Sequence, residues 1–154
     1  MPEPTKTVNV RPLDSVDIGA VVDIDEKISG QYRPDTWESR IGYYLRRDPD
    51  AALVAEADGR PVGFIMARVD FGEFGRAEPA AVIDTIGVQP DLGRGGIGSA
   101  LLSQLLVNLS ALQVERVRTS VAWNNFPLLD FLDRSGFAPA QQIVLTKTID
   151  PDPS

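Results

Sequence analysis

The sequence predicts a mixed α+β chain, and three observations predict it. Short, partly β-branched runs flank Asp58–Gly59, a turn pair that favours an antiparallel hairpin. Leu101, Leu102, Leu105, Leu106, Leu109 and Leu112 recur at helical spacing, with Ser103, Gln104 and Asn108 opposite. Between a strand over 82–88 and that helix stands a dense glycine cluster, and another strand follows, giving one strand–helix–strand crossover beside the antiparallel half.

Val8, Val10 and Leu13 mark a first strand ending at Arg11–Pro12. Asp14 or Ser15 then caps a helix carrying Ile18, Val21, Val22 and Ile28, which Gly30 stops. A second helix starts at Pro34, with Asp35 as N-cap and Glu38 in capping-box position. Trp37, Ile41, Tyr44 and Leu45 line one of its faces, and it ends near Asp48–Pro49. Strands over 52–57 and 61–69 form the hairpin, a loop covers 70–79, and Pro90 ends the third long strand. After the leucine helix, 117–123 alternates as a strand. Asn124 or Asn125 caps a short helix through Leu128, Leu129, Phe131 and Leu132, closed by Gly136, and Ile143, Leu145 and Thr148 sit in a final strand. With no internal repeat or linker, residues 7–150 read as a single domain and 151–154 as a frayed tail.

The chain has 154 residues, no cysteine and no histidine. Disulfides, thiolate metal sites, a cysteine nucleophile and the commonest general base are thereby excluded, and no metal is expected. Acid–base chemistry is left to carboxylates, tyrosines, lysines or water. The net charge of -7 argues against nucleic acid as a partner and mildly favours cationic acceptors. No apolar run approaches membrane-spanning length, and residues 1–9 lack the apolar core of a signal peptide, so a soluble cytoplasmic protein with no membrane partner is expected.

The cluster Gly93, Arg94, Gly95, Gly96, Ile97, Gly98, Ser99 exposes consecutive backbone N–H groups at a helix N-terminus, a natural cradle for phosphate. A Walker loop needs Lys directly before the hydroxyl residue, and here Gly98 precedes Ser99. Gly93, Gly95 and Gly98 satisfy the dinucleotide pattern G-x-G-x-x-G literally. Four residues, Gln89 to Leu92, nevertheless separate the strand from the first glycine, and Trp123 and Asn124 stand where the acidic ribose ligand belongs.

The run from Val88 through Gln89, Pro90 and the glycine cluster to Leu102 resembles motif A of the GNAT superfamily of N-acetyltransferases. Asn125 followed by Leu128, Phe131, Gly136 and Phe137 is similar to that superfamily's next motif, and Arg11–Pro12 and the Asp58–Gly59 hairpin extend the likeness over nearly the whole chain. The resemblance implies a mixed, mostly antiparallel central sheet flanked by helices, with central strands that splay to admit acetyl-coenzyme A. It implies that the pantetheine arm pairs near Ile86, Gly87 and Val88 and that pyrophosphate sits on the N–H groups from Gly93 to Ser99. Asn125 and Phe131 are then cofactor contacts as well. Two positions depart from the pattern: Gly93 stands where Gln or Arg is usual, and Leu132 where a thiolate-protonating Tyr is common.

Acetyl transfer to an amine needs a deprotonated amine, a polarised thioester carbonyl and a protonated leaving thiolate. Asp84 is the carboxylate on the presumed cofactor strand, and simple alternation puts it on the face of Val82 and Ile86. The resemblance implies a role as base or amine ligand, and the plainer reading is a solvated or hydrogen-bonded strand aspartate. Arg94 is expected to clamp phosphate. The missing acid is sought among Tyr32, Tyr43, Tyr44 and water, or is dispensed with, and Leu132 reads as a core contact. Asp70, Phe71, Glu73, Phe74 and Glu78 form either an acceptor lip or an ordinary connection, while Arg46, Arg47, Arg116 and Arg118 read as solvated charges. The function expected is direct acetyl transfer from acetyl-coenzyme A to a primary amine on a small molecule or peptide. The alternative is a non-catalytic coenzyme A-binding regulatory module, and a homodimer is left open.

Overall fold

The computed structural model describes residues 8–70, 79–92 and 95–151. Its elements run β1 (Val8–Pro12), α1 (Ile18–Ser29), α2 (Pro34–Arg47), β2 (Ala52–Ala57), β3 (Arg60–Asp70), β4 (Ala80–Val88), α3 (Ile97–Ala111), β5 (Arg116–Thr119) and α4 (Phe126–Arg134). Two compact units result, one ending at Ser120 and one beginning at Val121.

The first unit holds a five-stranded sheet in the order β1-β2-β3-β4-β5. All neighbours are antiparallel except β4 and β5, which the α3 crossover makes parallel. The β2–β3 hairpin turns on Asp58 and Gly59, both at positive φ, the backbone a two-residue turn between twisted strands requires. Both faces of the sheet are covered, which is why β2 and β3 read as nearly unbroken apolar runs. On one face Val21, Val22 and Ile24 of α1 and Trp37, Ile41 and Tyr44 of α2 pack with Val54, Phe64 and Met66. The other carries α3, buried through Ile97, Leu101, Leu105 and Leu109.

Helix α1 begins as expected. Asp14 caps a short 3₁₀ turn in a reciprocal capping box with Asp17, and Gly30 ends the helix at φ 77° with its N–H on Glu26. The N-cap of helix α2 differs by two positions: Pro34 takes the first helical place, where its missing N–H is harmless, so Arg33 is the N-cap and Asp35 lies inside the first turn. Ile28, Leu106 and Leu112 turn outward despite their helical spacing.

Two buried carboxylates stand on the apolar side of α1 and its lead-in turn. Asp17 receives Arg11 in a two-pronged contact at 2.7 and 2.8 Å, and the same guanidinium reaches Glu56 at 2.6 Å, tying β1 to β2. Asp25 takes both Nε and Nη2 of Arg33 and the indole N–H of Trp37 at 2.8 Å, tying α1 to α2. The hydrogen bonds from Arg11 and Arg33 hold both carboxyls below the usual carboxylate range, against a smaller opposing push from burial.

In the second unit Asn125 is the N-cap of α4, its Oδ1 accepting from the Leu128 N–H, and Gly136 follows the helix at φ 95°. The final strand expected around Ile143, Leu145 and Thr148 does not form, and the first two are about four-fifths exposed. Alternation is a local signal, whereas a strand needs a neighbour to complete its ladder. For the same reason β5 ends at Thr119 and not at Trp123.

Because the folded values of Asp17 and Asp25 lie below their ordinary value of 3.8, the stability they contribute is complete above that pH. It is lost as the pH falls through the folded values. The urea midpoint should therefore drop steeply below about pH 4. Asp25→Ala should shallow that drop and cost about 2 kcal/mol at pH 7, since it strips the buried Trp37 N–H of its acceptor.

Candidate active site

The site is built on β4. Its pairing with β5 runs only from Ala80↔Arg116 to Ile83↔Thr119, where the Thr119 hydroxyl donates to the Ile83 carbonyl at 2.9 Å. Beyond Ile83, β4 keeps β3 on one side and, among the described residues, no strand on the other. The strands thus part at Asp84, leaving the backbone of Asp84 to Val88 as an open edge.

At the same point the β3–β4 register breaks: Met66 faces Thr85 while Ala67 faces Ile83, and Asp84 is the extra residue of a bulge. The bulge corrects the expected alternation. Ile86 pairs with Ile65, on the α3 side of the sheet, whereas Asp84 reaches toward α2. Its Oδ2 accepts from the Tyr44 hydroxyl at 2.5 Å, and Nε of Arg68 stands 3.2 Å from both carboxylate oxygens. Asp84 is therefore a carboxylate gripped by a hydrogen bond and an ion pair. Burial first, and the bond to Asp84 second, push the Tyr44 hydroxyl well above its ordinary range, so it is neutral at physiological pH.

The grip continues outward. Arg68 reaches Asp70 at 3.0 Å, Asp70 accepts from Arg47 at 3.2 Å, and Arg47 also meets Asp48 at 3.3 Å and donates to the Tyr43 hydroxyl. Asp48 in turn accepts from the Val69 N–H. Arg47 is thus a structural partner of the β3 end and not a free solvated charge. Sequence reasoning missed this chain because the contacts that join α2, β3 and β4 span 16 to 40 positions of the sequence.

At the far end of the open edge, Gln89 N–H closes on Val62, and a turn at Pro90–Leu92 leads to α3. Gly96 is the N-cap at φ 77°, without a side chain to cap the helix. The first intrahelical bond is made by Ala100 onto Gly96, so the N–H groups of Ile97, Gly98 and Ser99 face outward as donors. Two glycines seat this loop on the sheet. A Cβ on Gly63 would stand 2.9 Å from Ile97, and one on Gly87 would stand 2.5 Å from the Phe64 ring.

A family model described as the acetyltransferase (GNAT) family matches residues 19–137. The chain belongs to that family. It is 36% identical over 94 residues to mycothiol acetyltransferase of Clavibacter michiganensis, covering 60% of this chain but only 28% of that protein, so the chain spans under a third of that relative. An acetyltransferase of Pectobacterium atrosepticum is 31% identical over 112 residues, 73% of this chain and 74% of its own. The fold superposes on an aminoglycoside N-acetyltransferase crystallised with coenzyme A at a TM-score of 0.81, with 14% identity and 96% and 99% coverage. Ard1 from Thermoplasma volcanium gives a TM-score of 0.72 at 25% identity, with 85% and 82% coverage.

In GNAT terms the structure brings Asp84, Ile86, Gly87 and Val88 onto one strand edge, Gly95 and Gly96 onto the turn that follows, and Ile97, Gly98 and Ser99 into the first turn of α3. Gly93 and Arg94 lie outside the described residues, as do Phe71, Glu73, Phe74 and Glu78 of the expected lip. In the second unit, Asn125 Oδ1 is engaged as helix cap, Phe131 is half-buried and Leu132 is buried as an apolar contact. No helix of the described residues is long and apolar enough to cross a membrane.

Gly87→Ala should force the Phe64 ring aside and cost about 1–3 kcal/mol in urea unfolding. Phe64→Leu in the same background should recover part of that loss, because the shorter side chain vacates the space the new methyl needs.

Proposed function

We propose that the chain is an acetyl-coenzyme A-dependent N-acetyltransferase that passes the acetyl group to a primary amine by direct attack. The observation that carries this reading is the shape of β4. An open strand edge of four residue steps, about 13 Å, runs from a gripped carboxylate to a helix start whose first N–H groups make no intrahelical bond. An extended arm with phosphate at one end and an acyl group at the other suits that layout. Ile86, Gly87 and Val88 would hold the arm, and Gly93, Arg94, Gly95, Gly96, Ile97, Gly98 and Ser99 the pyrophosphate. Asn125 and Phe131 would add contacts from α4. A single domain over 7–150 belongs to the reading, supported by a family match that crosses both units.

In the reaction the amine nitrogen bonds to the thioester carbonyl carbon, the C–S bond breaks, and the departing thiolate takes a proton from water. The amine's own proton goes to Asp84 or, past it, to solvent. A backbone N–H near Val88 polarises the carbonyl. No cysteine or histidine is present to make an acyl-enzyme. The acceptor is a small cationic amine or a peptide amine. Fold neighbours include an aminoglycoside acetyltransferase bound to a bisubstrate analogue of acetylneamine, which favours the former. The same features fit a soluble, cytoplasmic enzyme.

Leu132 favours a second reading, a coenzyme A-binding module without turnover. Thiol release from acetyl-coenzyme A with spermidine, neamine and an alanyl peptide separates the two. Coenzyme A at a hundredfold excess over its Kd should stabilise the protein by about 2.7 kcal/mol, and no stabilisation would sink both readings. Asp84→Asn should lower turnover about tenfold or more while leaving that stabilisation intact.

A further inference from the structure

We propose that Tyr44 is the positioning residue of Asp84, holding Oδ2 from α2 so that the rest of the carboxylate is presented to the acceptor amine. The inference rests on the reading of Asp84 as the group that handles the amine.

As the extra residue of a bulge, Asp84 lies outside the regular β3–β4 ladder, so strand pairing alone does not aim its side chain. Something else has to fix it. Tyr44 is suited to this: only 6% exposed, its ring is locked in the cluster with Ile41, Phe64 and Met66 and stands edge-on to Tyr43 at 5.4 Å. A buried phenol needs a partner for its hydroxyl, and Asp84 Oδ2 at 2.5 Å is that partner. The helix core therefore sets the position of the oxygen, and the oxygen sets the carboxylate.

Arg68 is the looser holder. Its Nε sits 3.2 Å from both oxygens, its side chain is about a third exposed, and its Nη1 is shared with Asp70. An ammonium arriving from solvent can share the carboxylate with Arg68, but it cannot reach the side that Tyr44 closes. Among the described residues, the charged groups around the pair are Arg40 of α2 and Arg68 and Asp70 of β3. Arg68 shares Oδ2 with Tyr44, from the longer distance of 3.2 Å against 2.5 Å.

The environment of Tyr44 also makes it a poor acid for the leaving thiolate. Burial and the adjacent carboxylate make it a weaker acid than a free tyrosine. It neither gives nor takes a proton in the cycle: the amine's proton passes to Asp84 or water, and the thiolate is protonated by solvent.

Tyr44→Phe keeps the ring and removes only the hydroxyl. With acetyl-coenzyme A and the fastest of spermidine, neamine and an alanyl tripeptide, kcat should fall at least about fivefold. KM for acetyl-coenzyme A and stabilisation by coenzyme A should stay unchanged. In an Asp84→Asn background the same change should have less than about a twofold effect, since the two act as one unit. Full activity in Tyr44→Phe beside an impaired Asp84→Asn, or multiplying effects in the double variant, would overturn the positioning role alone. An Asp84→Asn enzyme with wild-type kinetics would instead overturn the role of Asp84, and this proposal with it.

Discussion

Strand β4 has to satisfy two neighbours of different length, and the remainder of the site follows from how it does so. Toward β3 it is paired over its whole course, and toward β5 for only four residues. The place where the second partner ends is also the place where the first ladder takes up an extra residue. A bulge increases local twist and bends the strand that carries it. The bulge turns Ile86 to the face opposite Asp84, while the end of β5 leaves the backbone after Ile83 with donors and acceptors facing an open side.

The surrounding layers keep that edge in place. On one face Phe64 lies over Gly87, so an aromatic ring fills the space a side chain on β4 would have taken. On the other, Gly63 lets Ile97 and Leu101 come close to the backbone, which fixes where α3 begins and so where its N–H groups point. The helices on the first face are joined by Asp25, Arg33 and Trp37, and Tyr44 projects from the same helix that this junction anchors. Packing, electrostatics and the presumed chemistry therefore share α2.

Much of this was legible in the residues. Local signals sufficed wherever the structure is locally determined: Asp58–Gly59 for the hairpin, Gly30 and Asn125 for helix ends, and the leucine spacing of α3. The glycine cluster before α3 announced its free N–H groups for the same reason. What stayed hidden depends on partners distant in sequence. The bulge at Asp84 carries no glycine or proline, so alternation placed Ile86 on the wrong face. Tyr44 and Arg68 were visible as residue types but not as holders of Asp84, because only the fold brings α2 and β3 to one point. Asp25 had a fainter trace: it stands four residues after Val21 on an otherwise apolar stripe, where a carboxylate needs a buried partner. The stretch around Ile143 failed in the opposite direction, its local pattern promising a ladder that no neighbour completes.

An open strand edge also bears on how the molecule behaves among its own copies. The sheet's outermost strands are guarded: β1 carries Arg11 and Pro12, and β5 carries Arg116 and Arg118, side chains that discourage another strand from adding on. From Thr85 to Val88 the edge of β4 has no such charge or proline, and Asp84 alone stands at its entrance. The backbone that suits an extended ligand arm is equally suited to a neighbouring chain. On the proposed reading, a ligand lying along this edge would also cover the amide groups through which a second strand could add.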